Sequence, residues 1–197
     1  MKLYYSPTSP YVRKVMACAI VRGLDGRIEK HASNPHALPA DLVADNPVSK
    51  VPCLVTDDGL SLFGSQLICE YLDSLGGEAP LFPAHGAARW QALKFQSLGD
   101  GILDAAVPCR GEQGKPSEAA RDAAIERYKA AISRSVDVLE ADPPHKHVDI
   151  GSITVACALG YLDFRLAADA WRSGHPKLTA WYDAFAQNKG LTETAPA

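Results

Sequence analysis

The alternation of strand-like and helix-like segments stops once, near residue 80, and this change constrains the fold more than any other feature of the sequence. Before it, short β-rich runs and helical stripes follow one another in the order β-α-β and then β-β-α. After it, only helical spacing of apolar residues recurs. The pattern predicts an α/β domain at residues 1–77, a linker at 78–86 and an all-helical domain at 87–197.

The first fifteen residues predict a strand, a tight turn and the start of a helix. The segment 2–5 is β-rich, and an apolar helical stripe begins at Val12. Ser9 falls at the N-cap and Pro10 at the first helical position, where a missing N–H costs no hydrogen bond. Two interpretations of Ser9 remain open from this stretch alone. Its hydroxyl either caps the helix or donates a hydrogen bond to a bound thiolate at the positive end of the helix dipole.

The second informative stretch is NPVSKVPCL at residues 46–54. Pro52 would be the second residue of an internal strand, where a proline removes a hydrogen-bond donor from the ladder. The position fits a cis Val51–Pro52 peptide, a form found in about 5–6% of X-Pro bonds. A cis bond would turn the N–H and C=O of Val51 outward, where an extended peptide-like ligand could pair with them. The alternative is a simple proline at the start of a strand.

The third stretch is Gly64–Ser65, which precedes an amphipathic helix that we expect to end at Gly76–Gly77. Ser65 is expected to cap this helix. Alternatively, its hydroxyl and the free N–H groups of the first turn form a site for a carboxylate.

Composition and charge exclude several classes of function. The net charge is −3, and no cluster of Lys and Arg offers a phosphate-binding face, so nucleic acid is not expected as a partner. The longest apolar run, residues 153–162, is shorter than the roughly 20 residues that span a bilayer. No signal peptide is predicted. The five cysteines form no Cys-x-x-Cys pair, which favours reduced thiols in the cytoplasm over disulfides or a metal site.

Taken in order, these pieces resemble the thioredoxin-like domain of the cytosolic glutathione transferases: a strand, a Ser-Pro-Tyr-x-Arg-Lys turn, a Lys-Val-Pro strand, a hairpin and a helix led by Ser. The second half fits the same family, and ACALGYLDFR at residues 156–165 resembles the buried helix of short bacterial members. The resemblance covers essentially the full chain. It implies an α/β thioredoxin-like N-terminal domain followed by an all-α C-terminal domain.

The resemblance also implies glutathione as co-substrate, without a metal, and it gives roles to matching positions. Ser9 would donate a hydrogen bond to the sulfur. Val51, before a cis Pro52, would pair its backbone with the cysteinyl unit, and Lys50 would lie near the glycyl carboxylate. Ser65 would bind the γ-glutamyl carboxylate through its hydroxyl and backbone N–H.

Gly64 departs from the family, in which this residue is usually acidic or Gln and contacts the ammonium group of glutathione. Members are dimers whose helical domain borders the partner's site, so we expect a homodimer in which Asp100 or Asp104 reaches across to supply the carboxylate. Tyr5 is a rival to Ser9, since some members use a Tyr near the end of the first strand. Ser9 is preferred because only it lies at the helix start.

The sequence therefore predicts a cytoplasmic glutathione transferase that activates glutathione as a thiolate for attack on a small electrophile, as in detoxification. Thiol–disulfide exchange at position 9 is not expected, because the hydroxyl of Ser9 cannot form a mixed disulfide. Two alternatives stay open. One is a non-catalytic glutathione-binding or regulatory protein on the same fold, which Gly64 favours. The other is a glutathione-dependent peroxidase or lyase using the same site.

Overall fold

The computed structural model describes residues 1–76 and 79–196 of the 197-residue chain. In this part there are four strands: β1 Lys2–Tyr5, β2 Glu29–Ala32, β3 Cys53–Val55 and β4 Ser61–Phe63. The same residues form eight α-helices: α1 Pro10–Val21, α2 Ala40–Asp45, α3 Ser65–Ser74, α4 Gly86–Gln113, α5 Ala119–Ala141, α6 Ile150–Arg165, α7 Pro176–Phe185 and α8 Lys189–Thr192. Gly77 and Glu78, where we predicted the first domain to end, lie outside the described residues.

The four strands form one mixed sheet in the order β2-β1-β3-β4. Strand β1 is parallel to β2 and antiparallel to β3, and β3 is antiparallel to β4. Tyr4 pairs with Cys53, which in turn pairs with Phe63. Because β1 and β4 end near this row and β3 begins there, the chain segments beyond all three strand ends emerge at the same edge of the sheet.

Both faces of this sheet are covered by apolar packing. Strand alternation places Tyr4 and Cys53 on one face, where they pack against Leu42 of α2. Leu3 and Leu54, which pair with each other, point to the opposite face and are also fully buried. Helices α1 and α3 pack against each other in the same unit. The edge of the sheet is therefore held rigidly from both sides, which suits it to position a site.

The second unit is all-helical and is organised around α6, which packs against α4. Every residue of α6 from Ile150 to Leu162 is buried. Asp149 Oδ1 accepts the N–H of Ser152 at 2.8 Å, and Ser152 Oγ accepts the N–H of Asp149 at 2.9 Å. This reciprocal pair satisfies two backbone donors at the buried start of the helix.

Two glycines allow α4 and α6 to approach closely. A Cβ built on Gly99 would lie 2.9 Å from the backbone carbon of Thr154, and one built on Gly151 would lie 2.5 Å from the carbonyl oxygen of Ala92. Neither helix can therefore carry a side chain at these points without moving. Within residues 1–76 and 79–196, no helix is long and apolar enough to cross a membrane.

The chain divides into two compact units, residues 1–84 with 188–197, and residues 85–187. Residues 188–196 thus group with the sheet, although we predicted them as part of the helical domain at 87–197. The reason is that α8 packs on α1: Arg13 Nη2 donates to the carbonyl of Leu191 at 3.2 Å, and a Cβ on Gly190 would lie 2.8 Å from the carbonyl oxygen of Ala17. The linker at 78–86 stays a prediction.

Candidate active site

The register of the sheet brings the three stretches selected from the sequence to one edge. Ser9 follows the end of β1 by four residues, Val51 precedes the start of β3 by two, and Gly64 directly follows β4. These residues are far apart in sequence, and only the antiparallel pairing of β3 with both neighbours brings them to the same edge of the sheet. This edge is the candidate active site.

Ser9 is the N-cap residue of α1, with φ −79° and ψ 120°. Its Oγ accepts the backbone N–H of Val12 at 3.3 Å, and its carbonyl accepts the N–H of Arg13 at 3.0 Å. The cap uses the hydroxyl only as an acceptor. A serine hydroxyl also has one O–H donor, so capping the helix leaves its hydrogen able to bond an anion at the helix end. The two interpretations of Ser9 are therefore compatible.

The Val51–Pro52 peptide bond is cis, as the sequence led us to expect. Pro52 is buried and Val51 is half-buried, while the side chain of Lys50 is exposed. Strand β3 begins only at Cys53, so Val51 lies just before the paired segment. Its backbone occupies the position from which a further extended segment could be paired.

The helix α3 is capped by Gly64, not by Ser65, so our prediction of Ser65 as the cap residue was wrong by one position. Gly64 has φ 87° and ψ 122°, a conformation that residues with a side chain rarely adopt, and it turns the chain sharply from β4 into the helix. Ser65 is consequently the first helical residue. Ser65 is 7% exposed. Because the cap residue is Gly64, the hydroxyl of Ser65 does not occupy the N-cap position of α3.

The two tyrosines of β1 have different surroundings. Tyr4 is fully buried, and its hydroxyl donates to Asp45 Oδ2 at 2.7 Å. Tyr5, the rival to Ser9, is half-buried and lines a cavity of about 290 Å³ together with Arg13 and the C-terminal segment around Thr194. Ser9 is not among the described residues that line this cavity. The choice of Ser9 over Tyr5 stays a prediction.

Cys53 lies next to the site, but its thiol is unsuited to act as a nucleophile. Its side chain is fully buried, and burial, with a smaller effect from the Asp45 carboxylate, raises the pKa of its thiol to about 11. It therefore stays a thiol near neutral pH and acts as a small apolar core residue. All five cysteines are buried and none forms a disulfide, and residues 1–76 and 79–196 contain no group of side chains suited to a metal ion.

Sequence reasoning missed Asp45 and Asn46, which connect the sheet to the loop before Val51. Asp45 accepts hydrogen bonds from Tyr4 and Lys2 on β1 and from Ser61 on β4. The bond from the Tyr4 hydroxyl, above all, holds the pKa of Asp45 below its usual range. The signal in the sequence was the Asn-Pro pair at residues 46–47 of the NPVSKVPCL stretch, to which we assigned no structural role.

The two acidic residues of α4 proposed to reach a partner subunit differ in exposure. Asp100 is 5% exposed, whereas Asp104 is an exposed side chain. A carboxylate that crosses to another subunit has to be accessible at the surface of its own chain. Asp104 is therefore the better candidate of the two.

Family profiles match both parts of the chain. The profile of the glutathione S-transferase N-terminal domain matches residues 8–75, and that of the C-terminal domain matches residues 122–184. The Escherichia coli (strain K12) protein named "Uncharacterized GST-like protein YibF" is 32% identical over 201 residues, which cover 100% of this chain and 98% of that protein. The chain belongs to the glutathione transferase family. Its fold is the α/β thioredoxin-like domain plus all-α domain that we predicted for a bacterial glutathione transferase.

Solved structures of glutathione transferase family members agree with this assignment. A member from Pseudomonas fluorescens Pf-5, crystallised with bound glutathione, is 40% identical with a TM-score of 0.93, covering 100% of this chain and 98% of that one. A structure of a family member from the same organism with bound S-(propanoic acid)-glutathione is 38% identical with a TM-score of 0.87, covering 100% of both chains. Glutathione is thus a ligand of similar members of the glutathione transferase family.

Proposed function

We propose that this protein is a glutathione transferase in which the hydroxyl of Ser9 stabilises the thiolate of bound glutathione. The observation that carries the proposal is the geometry of the cap: among the described residues, the one hydrogen bond of Ser9 Oγ is accepted from the N–H of Val12, so its own hydrogen is available to the ligand. Bound glutathione in similar family members supports the choice of ligand.

The rest of the edge supplies matching groups for the tripeptide. Val51, held before the cis bond to Pro52, would pair its N–H and C=O with the cysteinyl unit as an added strand. The exposed ammonium of Lys50 would lie near the glycyl carboxylate. Ser65 is the first residue of α3 and follows the cap residue Gly64. It would bind the γ-glutamyl carboxylate with its hydroxyl and N–H.

The chemistry follows from the thiol pKa. A free thiol has a pKa of about 8.5, and a helix N-terminus can lower it to about 3.5–7.5. A depression of one or two units corresponds to about 1.4–2.8 kcal/mol. At neutral pH the sulfur would then be largely thiolate. It would attack an electrophilic carbon, forming the C–S bond as the leaving group departs with its electron pair, while the thiol proton passes to water.

A homodimer in the cytoplasm, acting on a small electrophile in detoxification, belongs to the same proposal. On the first unit, Val48 is 57% exposed, Phe63 38% and Leu67 50%; on the second, Trp90 is 70% exposed. Each unit by itself thus carries exposed large apolar side chains, and the homodimer is proposed from the resemblance to a family whose members are dimers. None of the five cysteines forms a disulfide, which supports a reducing compartment.

The test combines retention on immobilised glutathione with turnover of an aryl halide and titration of the bound thiol. We expect retention, turnover, and a thiol pKa in the complex that rises in Ser9→Ala. A matched variant, Thr8→Ala, changes an exposed hydroxyl in the same turn and should leave all three unchanged. Retention with no turnover of any electrophile would contradict the transferase assignment.

Gly64 favours a second candidate, a non-catalytic glutathione-binding or regulatory protein. The residue before Ser65 has no side chain to contact the ligand's ammonium group, and its φ of 87° opposes one. The two candidates differ in a measurable way. Binding without a depressed thiol pKa would support the regulatory protein, whereas a depressed pKa with turnover supports the transferase.

A further inference from the structure

The loop between α2 and β3 is organised by one buried side chain, that of Asn46, which is 1% exposed. Its Oδ1 accepts the N–H of Val48 at 3.0 Å, and its Nδ2 donates to the carbonyl of Lys50 at 2.8 Å. Its backbone N–H donates to the carbonyl of Leu42 at 2.7 Å, and its carbonyl accepts the N–H of Ser49 at 2.8 Å. Both ends of the amide are thus used, and the loop closes around it.

The bond from Nδ2 acts on the peptide unit that carries the proposed ligand donor. The carbonyl of Lys50 and the N–H of Val51 belong to one planar trans peptide, in which they point in opposite directions. Fixing the Lys50 oxygen toward Asn46 therefore fixes the Val51 N–H away from Asn46. Without that bond, this peptide plane could rotate, and the donor would lose its defined direction.

Ser49 has φ 50°, in the left-handed region that disfavours residues with a side chain. Its Oγ donates to the carbonyl of Pro35 at a long 3.4 Å. By contrast, the residue before Asn46 is anchored firmly, because Asp45 accepts three side-chain hydrogen bonds from β1 and β4. The rigid sheet is thereby connected through Asp45 and Asn46 to the peptide before Val51.

The chain contains an internal comparison in Asn34, which is also followed by a proline. Asn34 Oδ1 accepts the N–H of His36 at 3.1 Å, and its carbonyl accepts the N–H of Ala37 at 3.0 Å, as in the loop of Asn46. Asn34 is exposed, however, and its Nδ2 has no protein acceptor within the described residues. What distinguishes Asn46 is burial together with the bond to Lys50.

We propose that Asn46 is a positioning residue for glutathione: its amide orients the Lys50–Val51 peptide so that the Val51 N–H meets the cysteinyl carbonyl. This inference rests on the proposed function. It predicts a specific kinetic pattern. Loss of the amide weakens binding of the tripeptide and raises KM, while kcat at saturating glutathione changes by less than about twofold, since Ser9 and the start of α1 are not altered.

The test is Asn46→Asp, with Asn34→Asp as the matched control. Both changes are isosteric, and both keep the side-chain oxygen that accepts a backbone N–H, from Val48 or from His36. Only Asn46→Asp replaces an N–H donor with an oxygen that faces the carbonyl of Lys50. With S-methylglutathione as the probe, which has no thiol to titrate, we expect Kd to rise about 5- to 20-fold in Asn46→Asp and by less than about twofold in Asn34→Asp.

A pH series separates positioning from general damage to the fold. The carboxyl introduced by Asn46→Asp regains an O–H donor when it is protonated, and burial raises the pKa of such a group. The ratio of its Kd to that of the wild type should therefore shrink between about pH 8 and about pH 5. Asn46→Ala, which removes the amide without adding a charge, should weaken binding with a ratio independent of pH, and circular dichroism verifies that each variant is folded.

Three results would overturn the proposal. Wild-type affinity in folded Asn46→Asp or Asn46→Ala would show that the amide does not position the peptide. An equal loss in Asn34→Asp would show that the effect is not specific to Lys50. Failure of the wild-type protein to bind S-methylglutathione would instead overturn the proposed function, and the role of Asn46 with it.

Discussion

Ser9 offers the sharpest test, because its observed role as a helix cap and its proposed role as a donor to the thiolate can be removed separately. Ser9→Thr keeps both the acceptor for the N–H of Val12 and the hydroxyl donor. Ser9→Asp keeps the acceptor, since Asp is as good an N-cap residue as Ser, but at neutral pH it has no donor. Ser9→Ala removes both. The free energy of unfolding should depend on whether residue 9 keeps the acceptor for the N–H of Val12. The thiol pKa of bound glutathione should depend on whether residue 9 keeps an O–H donor.

The magnitudes come from the observed bonds. Losing an N-cap costs about 1 kcal/mol, and the 3.3 Å bond from Val12 places Ser9 in the lower half of the usual range. In a chain of this size, 1 kcal/mol shifts Tm by about 2–4 °C. A hydrogen bond to a charged group contributes about 1.5–3 kcal/mol, so losing the donor should raise the pKa of the bound thiol by about 1–2 units. The added negative charge of Ser9→Asp should raise it further.

The assay pairs thermal unfolding without ligand with ultraviolet titration of the thiolate in the glutathione complex. We expect Ser9→Asp to unfold near the wild-type temperature but to show the highest thiol pKa of the set. Ser9→Ala should unfold at a lower temperature than the wild type and show a raised thiol pKa. Ser9→Thr should match the wild type in both quantities. The reasoning is refuted if the thiol pKa in Ser9→Asp equals that of the wild type, because the hydroxyl would then serve the helix alone.

Three further outcomes follow from the packing and the charges. Gly64→Ala should lower the free energy of unfolding by about 1–2 kcal/mol, because Gly64 has a φ of 87°. As a control, Gly101→Ala at an exposed position within α4 should raise the free energy of unfolding by about 0.5–1 kcal/mol. Equal effects of the two substitutions in urea titrations would contradict this prediction. Gly151→Ala should cost about 3 kcal/mol, since its Cβ would meet a backbone oxygen at 2.5 Å, and an unchanged urea midpoint would refute the close approach. Burial alone would lower the pKa of His175, but its hydrogen bonds to Asp137 and to two backbone carbonyls together raise it. The contribution of protonated His175 to the free energy of unfolding is therefore complete below about pH 6.5 and is lost as the pH rises through the raised pKa of the folded state. His175→Gln should abolish that part of the pH dependence of Tm above about pH 6.5, and a wild-type pH profile in this variant would count against it.

Features that depend on a few neighbouring residues could be predicted from the sequence. The cap at Ser9 with Pro10 after it appears where the pattern indicated, and the cis bond at Val51–Pro52 appears where the proline and the family resemblance led us to expect it. Each depends on local stereochemistry, in which the residue type limits φ or supplies a hydrogen-bonding atom to the next turn. The change from mixed to all-helical structure is equally local, because strands and helices differ in apolar period.

Features that depend on distant partners could not be predicted in this way. The cap of α3 falls on Gly64 because the direction in which β4 enters the helix requires a positive φ, and no pattern around Ser65 shows that direction. Nor could periodicity show that α8 packs on α1 through Gly190, or that Asp45 binds β1 and β4. These contacts join residues that are tens of positions apart.

The sequence by itself therefore determined the elements, the family and the residue types available for the proposed glutathione site. Only the tertiary structure decided which of their hydrogen-bonding atoms are already used within the fold. The Ser9 hydroxyl keeps its hydrogen, the Ser65 hydroxyl does not occupy the N-cap position of α3, and the Asn46 amide is committed to the Lys50 carbonyl. The physical reason is that each polar atom forms few hydrogen bonds, and the folded neighbours of an atom determine which of them remain available.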